Sequence, residues 1–258
     1  MRKSSQIRKI CKKSKIQYTW GVNFFLKKRE KNLTFYLVMD TKMQNAKILS
    51  KIMLTDEILE LKLETTKIDT LPGQWMFINY LGLEKPLKRA YSIANSETQG
   101  ESSILTFLIK LLENGQGSNQ LKSLQVGDEV GLEGPNGHFT LKNTPNPKVF
   151  LSTGSGLAPC YRMAKEDQSW SKKRFFFSVS YRKDLFYSEQ IKALNIPETH
   201  ISISREEAPW YEYGRIQIDN IDFPVETEFY LCGVPLMVKD FMTKLRARGY
   251  NNIYVEAY

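Results

Sequence analysis

Apolar and polar residues alternate along most of the chain between Lys47 and Leu141, which is the pattern of half-buried β-strands. Turn residues such as Leu71-Pro72-Gly73-Gln74 separate the alternating runs, and only one short helix, predicted over Ser118–Leu124, interrupts them. Short, closely spaced strands are typical of a barrel, so we predict an antiparallel β-barrel up to about Leu141. The predicted strands are Lys47–Leu54, Glu57–Thr65, Trp75–Tyr80, Lys88–Ala94, Ile104–Leu111 and Glu129–Leu132.

The pattern changes after Asn143-Thr144-Pro145-Asn146-Pro147, a polar segment of the kind that joins domains. Buried-type strands then alternate with helices, and this order predicts an α/β, doubly wound parallel sheet. The predicted strands are Lys148–Ser152, Arg174–Tyr181, His200–Ser204, Glu228–Leu231 and Ile253–Glu256, and the predicted helices are Leu157–Asp167, Asp184–Leu194 and Pro235–Arg248. We therefore expect a leader over residues 1–43, a barrel domain over 44–143 and an α/β domain over 148–258.

Positive charge is concentrated at the amino-terminal end. The 258 residues have a formal net charge of +9, but residues 1–48 alone contribute +11 and the rest −2. Because the basic residues do not spread over the folded part, we do not predict nucleic-acid binding. Three interpretations of the leader stay open: a solvated tail, an organelle-targeting segment, or an extension upstream of a start at Met39 or Met43.

Several classes of site are not expected. Cys11, Cys160 and Cys232 are far apart and form no C-x-x-C pair, so neither a disulfide framework nor a cysteine-bound metal is predicted. Two histidines make a histidine-based metal site equally unexpected. The longest stretch without a charged side chain is 14 residues, short of the roughly 18 that a membrane-spanning helix needs. Without a secretory signal, we expect a cytoplasmic protein, or an organellar one if the leader is a targeting segment.

A glycine-rich turn supplies the first candidate chemistry. The run Ser152-Thr153-Gly154-Ser155-Gly156-Leu157-Ala158-Pro159 follows a predicted strand and opens a predicted helix. Backbone N–H groups and the helix dipole favour a phosphate at such a place, and glycines allow close approach. The motif predicts a phosphate site, although a strand–helix turn without a ligand would look the same.

Five other segments share a fixed order along the chain. They are Arg89-Ala90-Tyr91-Ser92, Gly115-Gln116-Gly117-Ser118, Gly134-Pro135-Asn136-Gly137-His138-Phe139, Cys232-Gly233-Val234-Pro235-Leu236-Met237 and the terminal Val255-Glu256-Ala257-Tyr258. In this order and spacing, the chain from about Lys47 to Tyr258 resembles the ferredoxin–NADP reductase family of flavoproteins. The resemblance implies an FAD-binding barrel followed by an NAD(P)-binding α/β domain.

The resemblance implies roles for the barrel residues. Arg89 would pair with the flavin pyrophosphate, which suits a guanidinium fork. Tyr91 would pack against the isoalloxazine ring, and Ser92 would hydrogen-bond near its reactive N5. The short helix that opens at Gly117-Ser118, with Ser118 also the expected N-cap, would take the other side of the pyrophosphate, which favours FAD over FMN.

It also implies roles in the α/β half. Thr153 and Gly154–Gly156 would hold the pyrophosphate of the nicotinamide nucleotide, and Cys232 would border the nicotinamide. The 2′-phosphate of NADP needs a cationic partner, and NADP-specific relatives keep such groups after the second and third strands. The residues at those places are Arg182, Ser204, Arg205 and Arg215, so we expect NADP(H) to be preferred over NAD(H).

The carboxyl terminus completes the implied catalytic set of Ser92, Cys232, Glu256 and Tyr258. In plant-type members of the family a terminal aromatic residue covers the flavin and is displaced by nicotinamide, and Tyr258 fits that pattern. Glu256 would lie near Ser92 and assist proton transfer. A last strand whose apolar residue merely caps the barrel is the alternative for Tyr258.

The function expected is an FAD-dependent oxidoreductase that transfers hydride between NADPH and flavin, and single electrons between flavin and a separate carrier. A ferredoxin or flavodoxin is the expected class of carrier, although the near-neutral globular part offers it no basic surface in bulk. Two alternatives stay open: an NADH-dependent reductase for a cytochrome or a multicomponent enzyme, and a non-catalytic flavin-binding subunit.

Overall fold

The computed structural model describes residues 23–25, 36–38, 43–168 and 172–258. The chain divides into two compact units, Met1–Lys42 and Met43–Tyr258. In the first unit, strands β1 (Asn23–Phe25) and β2 (Tyr36–Val38) pair in antiparallel fashion. The three interpretations of the leader concern residues that mostly lie outside the described part of the chain.

Six antiparallel strands close into a barrel, which confirms the sequence prediction. They are β3 (Gln44–Met53), β4 (Ile58–Thr66), β5 (Trp75–Tyr80), β6 (Leu87–Gln99), β7 (Ser102–Lys110) and β8 (Glu129–Asn136). Their order around the barrel is β3-β4-β7-β6-β5-β8. Alternate side chains point inward and fill the interior, among them the fully buried Ile48, Leu61, Ile78 and Phe107.

One helix, α1 (Gln116–Ser123), lies between β7 and β8. The predicted start at Ser118, with that residue as N-cap, is wrong, because Gly115 is the N-cap and Ser118 lies in the first turn. The Ser118 hydroxyl instead accepts a hydrogen bond of 2.9 Å from the N–H of Leu112. This bond fixes the loop that leads into the helix.

Six parallel strands form the second half, in the order β12-β11-β10-β9-β13-β14. They are β9 (Lys148–Thr153), β10 (Lys173–Val179), β11 (Glu198–Ile203), β12 (Glu212–Tyr213), β13 (Glu228–Gly233) and β14 (Ile253–Ala257). The predicted parallel sheet is confirmed, but the two-residue strand β12 was not among its five predicted strands. The helices of this half are α2 (Leu157–Glu166), α3 (Ser188–Lys192) and α4 (Pro235–Ala247). No helix in the described ranges is long and apolar enough to cross a membrane.

The helix predicted over Asp184–Leu194 is much shorter in the structure. A 3₁₀ turn occupies Arg182–Asp184, and α3 begins only at Ser188. Between them Phe186 is buried, and Tyr187 adopts a left-handed backbone with φ of 60°. Right-handed helix cannot continue through that conformation, so the periodic pattern overestimated the helix.

The barrel and the sheet form one unit with a shared hydrophobic cluster. Barrel residues Ile58, Ala94 and Leu108 belong to the same buried cluster as Leu157 of α2. The connecting segment is also held in place, because the N–H of Lys142 donates to the hydroxyl of Tyr230 over 3.0 Å. The two halves therefore position their polar residues against each other across a packed interface.

Candidate functional site

The strand order of the sheet reverses between its two central strands, β9 and β13. From β9 the chain continues to β10, β11 and β12 on one side, whereas β13 and β14 lie on the other. In open α/β sheets, the crevice at the carboxyl ends of such a pair is where ligands bind. Thr153 ends β9 and Cys232 is the next-to-last residue of β13, so two predicted nucleotide residues meet at this crevice.

Two glycines bring the loops after β9 and β13 into direct contact. A Cβ on Gly156 would lie 2.4 Å from the carbonyl oxygen of Cys232, and one on Gly233 would lie 2.2 Å from Oγ1 of Thr153. That Oγ1 also accepts a hydrogen bond of 3.1 Å from the N–H of Val234. Since a larger residue does not fit at either glycine, the loop that precedes α2 is fixed against the end of β13.

A cavity of about 800 Å³ opens in front of these loops. Its lining includes five of the residues predicted to bind the nucleotide, Thr153, Gly154, Ser204, Arg205 and Arg215. Two further basic residues in the lining carry their own partners: Lys110 lies 3.0 Å from Glu57, and Lys244 lies 3.4 Å from Asp240. Among the described residues, Arg205 and Arg215 form no ion pair, so they are the cations free to meet an anionic ligand.

Arg182 is not brought into this cavity lining. It lies in the 3₁₀ turn after β10, its side chain is exposed, and its backbone N–H donates to the carboxylate of Glu206. Arg205, by contrast, faces the ring of Tyr181, with 5.7 Å between the guanidinium carbon and the ring centroid. Arg182 and Arg205 were equal candidates by their spacing after strands, but only Arg205 lines the cavity, because Arg182 lies in the 3₁₀ turn.

The predicted flavin residues of the barrel converge on the first turn of α1. A Cβ on Gly117 would lie 2.8 Å from Cγ of Arg89 and 3.2 Å from the hydroxyl of Tyr91. The Arg89 guanidinium is exposed and donates to the carbonyl of Lys88 over 2.9 Å, and in the described part of the chain it pairs with no carboxylate. A bare helix turn beside an unpaired guanidinium is a suitable cradle for a pyrophosphate.

Tyr80 also belongs to this cradle, and sequence reasoning missed it. Its hydroxyl lies 3.0 Å from that of Tyr91 and 3.1 Å from the position of a Cβ on Gly117. Burial raises the pKa of both tyrosines, so both hydroxyls are protonated and can donate. The alternation places Tyr80 on the inward face of its strand, where a hydroxyl needs a partner, but it does not identify that partner.

Ser92 and Glu256 meet at the interface of the two halves. Ser92 Oγ donates a hydrogen bond of 3.3 Å to a carboxylate oxygen of Glu256. Burial raises the pKa of Glu256, and the bond from Ser92 opposes that shift.

Cys232 lies opposite Glu256 in the register of β13 and β14 and is fully buried. Burial raises the pKa of its thiol to about 12. Its thiol is therefore neutral at ordinary pH.

Tyr258 lies across the end of the same crevice. Its hydroxyl donates to the carbonyl of Ser155 over 3.2 Å, and its N–H donates to the carbonyl of Gly233 over 3.4 Å. The hydroxyl also interacts with Cys232 and Ser92, whereas the residue as a whole remains 54% exposed. The terminal ring is thus set among the predicted catalytic residues while still open to the crevice.

Two family models match the chain in the same order as its two halves. One, described as an oxidoreductase FAD-binding domain, matches residues 41–141, and the other, described as an oxidoreductase NAD-binding domain, matches residues 150–243. The chain belongs to the ferredoxin–NADP reductase family. The cradle at Gly117 fits the FAD of this family, and the crevice between β9 and β13 fits its pyridine nucleotide.

Similar proteins agree with this assignment. Protein RfbI of Salmonella typhimurium is 29% identical over 77% of this chain, and the reductase component of propane 2-monooxygenase from Mycolicibacterium smegmatis is 33% identical over 71% of it. This family member spans 63% and 58% of the lengths of those two relatives. A ferredoxin NADP+ reductase from Neisseria gonorrhoeae shares the fold, with a TM-score of 0.74 and 22% identity, and the match covers 84% of this chain and 98% of that one.

Proposed function

We propose that this protein is an FAD-dependent reductase that takes hydride from NADPH and passes electrons singly to a separate carrier protein of the ferredoxin or flavodoxin class. The observation that carries the proposal is the meeting of Ser92, Cys232, Glu256 and Tyr258 at the crevice where the nucleotide loops end. When bound, FAD would supply the chemistry by accepting a hydride and releasing its electrons one at a time.

The chain's own residues would hold the two ligands in place. Arg89 would neutralise the FAD pyrophosphate beside the bare first turn of α1, and Tyr91 would pack against the flavin. The loop Thr153–Gly156 would hold the nucleotide pyrophosphate, and the buried Cys232 would border the nicotinamide. This arrangement orients the two reacting rings, and orientation is the larger part of what a protein adds to cofactor chemistry.

Ser92 and Glu256 would handle protons near the flavin. Ser92 donates to Glu256 over 3.3 Å, so a proton can move between the carboxyl, the hydroxyl and a group placed beside them. Because burial raises the pKa of Glu256, the carboxyl is closer to the range in which it can exchange a proton near neutral pH. Tyr258 would leave the flavin face when nicotinamide enters.

The preference for NADPH rests on the cavity. Arg205 and Arg215 line it without an ion-pair partner among the described residues, and Ser204 lies beside them. A 2′-phosphate carries about two negative charges and would pair with such guanidinium groups. The alternative is an NADH-dependent reductase component of a larger enzyme system. A role as a reductase component is favoured by the relative that is named as the reductase component of propane 2-monooxygenase.

Anaerobic mixing of the purified, FAD-loaded chain with NADPH and with NADH, followed through the visible absorption of the flavin, tests this function. Rapid bleaching by NADPH alone is the expected result. Preferential bleaching by NADH would favour the alternative. A flavin that stays oxidised with both nucleotides would contradict a reductase and make the protein a flavin-binding subunit.

A further inference from the structure

Arg162 is a buried cation between the two halves of the molecule. It lies on α2, the helix that opens directly after the glycine-rich loop, and its side chain is only 2% exposed. The neighbours of Arg162 along the buried face of α2 are apolar, among them Leu157, Ala158 and Met163. Removing a charge from water is costly, so an arginine on this face calls for an explanation.

The guanidinium of Arg162 reaches out of its own half into the barrel. Nη2 donates to the carbonyl of Thr70 over 2.9 Å, and Nη1 donates to the carbonyl of Leu71 over 3.4 Å. Nε donates to Glu166, one turn further along α2, over 2.7 Å. Both terminal nitrogens therefore hold backbone oxygens of a single barrel turn, and the carboxylate balances the charge.

That barrel turn is packed directly against α2. It contains Gly73, which has a φ of +96°. A Cβ at this glycine would lie 2.2 Å from the Cε of Met163, the residue after Arg162, and 1.9 Å from the carbonyl oxygen of Phe139. The turn therefore has no room to shift towards the helix, and Arg162 keeps it from shifting away.

The same turn is hydrogen-bonded to the strand that carries the flavin residues. The side chain of Gln74 accepts the N–H of Leu71 over 2.8 Å, and the carbonyl of Gln74 accepts the N–H of Ile93 over 3.0 Å. Ile93 follows Ser92 on β6, and Trp75 stands opposite Ser92 in the strand register. A short run of contacts thus joins α2 to the residue expected beside the flavin N5.

We propose that Arg162 is a positioning residue that sets the spacing between the nicotinamide and flavin sites. This inference rests on the proposed function. The glycine loop at the start of α2 carries one site, the strand with Ser92 carries the other, and Arg162 ties the helix to the turn that holds this strand. A displacement of about 1 Å between two reacting groups can lower a rate about 100-fold, so a small shift at this joint would be visible in hydride transfer.

The test compares Arg162→Met, Arg162→Lys and a matched control, Lys165→Met, in the full FAD-loaded chain. Lys165 also lies on α2 and donates to a barrel residue, Asn95, over 2.9 Å, but it is exposed. Four quantities are measured: FAD content, the flavin difference spectrum on titration with NADP+, the rate of anaerobic bleaching by NADPH, and the melting temperature. The difference spectrum reports how closely the nucleotide approaches the flavin without any turnover.

We expect Arg162→Met to retain FAD, to lose most of the amplitude of the difference spectrum, and to bleach 10- to 100-fold more slowly than the unmodified chain. Arg162→Lys keeps one charged nitrogen as a donor, so its spectral amplitude and bleaching rate are expected to lie between those of Arg162→Met and the unmodified chain. Lys165→Met is expected to match the unmodified chain in both quantities. Wild-type amplitude and rate in Arg162→Met, with only a lower melting temperature, would overturn the inference.

If Arg162→Met does not fold, the inference is tested with Arg162→Lys alone. A wild-type spectral amplitude and a wild-type bleaching rate in Arg162→Lys would then overturn the inference. Failure of the unmodified chain to bleach with either nucleotide would instead overturn the proposed function, and the inference with it.

Discussion

Ser92 and Glu256 are 164 positions apart in sequence, yet their side chains share a hydrogen bond of 3.3 Å. One lies on barrel strand β6 and the other on β14, the last strand of the parallel sheet. The bond therefore spans both halves of the molecule, at the place where the flavin and nicotinamide rings are expected to meet. It also couples the charge of a half-buried carboxyl to the geometry of the site.

The half-buried carboxyl of Glu256 gives a prediction for the pH dependence of stability. Burial raises its pKa above the ordinary value of 4.5, so the folded protein holds this proton more tightly than the unfolded chain does. The resulting stabilisation is complete below about pH 4.5 and is lost as the pH rises through the raised pKa. Glu256→Gln, which can still accept the bond from Ser92, is expected to melt at a higher temperature than the unmodified chain at pH 7.

Melting curves of the apoprotein from pH 4 to pH 8 check this expectation, and the gain in the variant should shrink towards acid pH. Glu84→Gln, at an exposed position, is the matched control and should show no such trend. An equal melting temperature for Glu256→Gln and the unmodified chain at every pH would mean that the carboxyl is not strained by burial.

Removal of Tyr258 is expected to tighten binding of NADP+ to the FAD-loaded chain. The backbone N–H of Tyr258 donates to the carbonyl of Gly233 and its hydroxyl donates to the carbonyl of Ser155, and nicotinamide would have to break the hydroxyl bond to displace the ring. Titrations followed through the flavin spectrum measure the dissociation constant. Tyr258→Phe keeps the ring and loses the hydroxyl contacts with Ser155, Cys232 and Ser92, so we expect it to tighten binding less than removal of the whole residue does. Unchanged affinity and unchanged turnover in the truncated chain would rule out a covering role.

Local patterns predicted the six barrel strands and five of the six strands of the parallel sheet in their order along the chain, because strand alternation and helix periodicity reflect which face is buried. The strand Trp75–Tyr80 was predicted residue for residue. The helix predicted over Asp184–Leu194 is wrong in its extent, because the helix is interrupted by the left-handed backbone of Tyr187. At that break the ring of Phe186 packs edge-on against Phe177 of β10, and periodicity does not record such a contact between elements.

Part of the candidate site could be predicted from glycines and from family motifs, and the two residues that sequence reasoning missed share one property. Tyr80 and Arg162 look like ordinary members of a strand and a helix, and their importance comes from polar contacts with other elements, Tyr91 on β6 and the carbonyl of Thr70. Conversely, Arg182 had the expected spacing but lies in a turn that leaves it outside the cavity lining. Polar contacts between elements, unlike burial of a face, leave no periodic signal.

Arg89 is predicted to be the main electrostatic contact for FAD. Arg89→Ala should weaken FAD binding about 10- to 100-fold, because a hydrogen bond to a charged group contributes roughly 1.5–3 kcal/mol. Flavin fluorescence during titration of the apoprotein gives the dissociation constant. The control is Lys88→Ala, next on the strand, whose ammonium group pairs with Glu133 at 2.9 Å. Full flavin content in Arg89→Ala after purification would show that the guanidinium does not contact the cofactor.

Arg182 and Arg205, which had equal standing as candidates from the sequence, are expected to differ in their effect on NADPH binding. Arg205 lines the cavity without an ion-pair partner among the described residues, whereas Arg182 does not line it. Arg205→Ala should therefore raise the KM for NADPH about tenfold or more while the KM for NADH changes little, because only NADPH carries the 2′-phosphate. Arg182→Ala should leave both constants near their original values. Steady-state assays with a one-electron acceptor dye give the KM values of both variants for NADPH and for NADH. An equal increase in the KM for both nucleotides in Arg205→Ala would mean that this guanidinium contacts a part of the ligand that NADH shares. A large increase in the KM for NADPH alone in Arg182→Ala would mean that Arg182, in the turn after β10, contacts the 2′-phosphate.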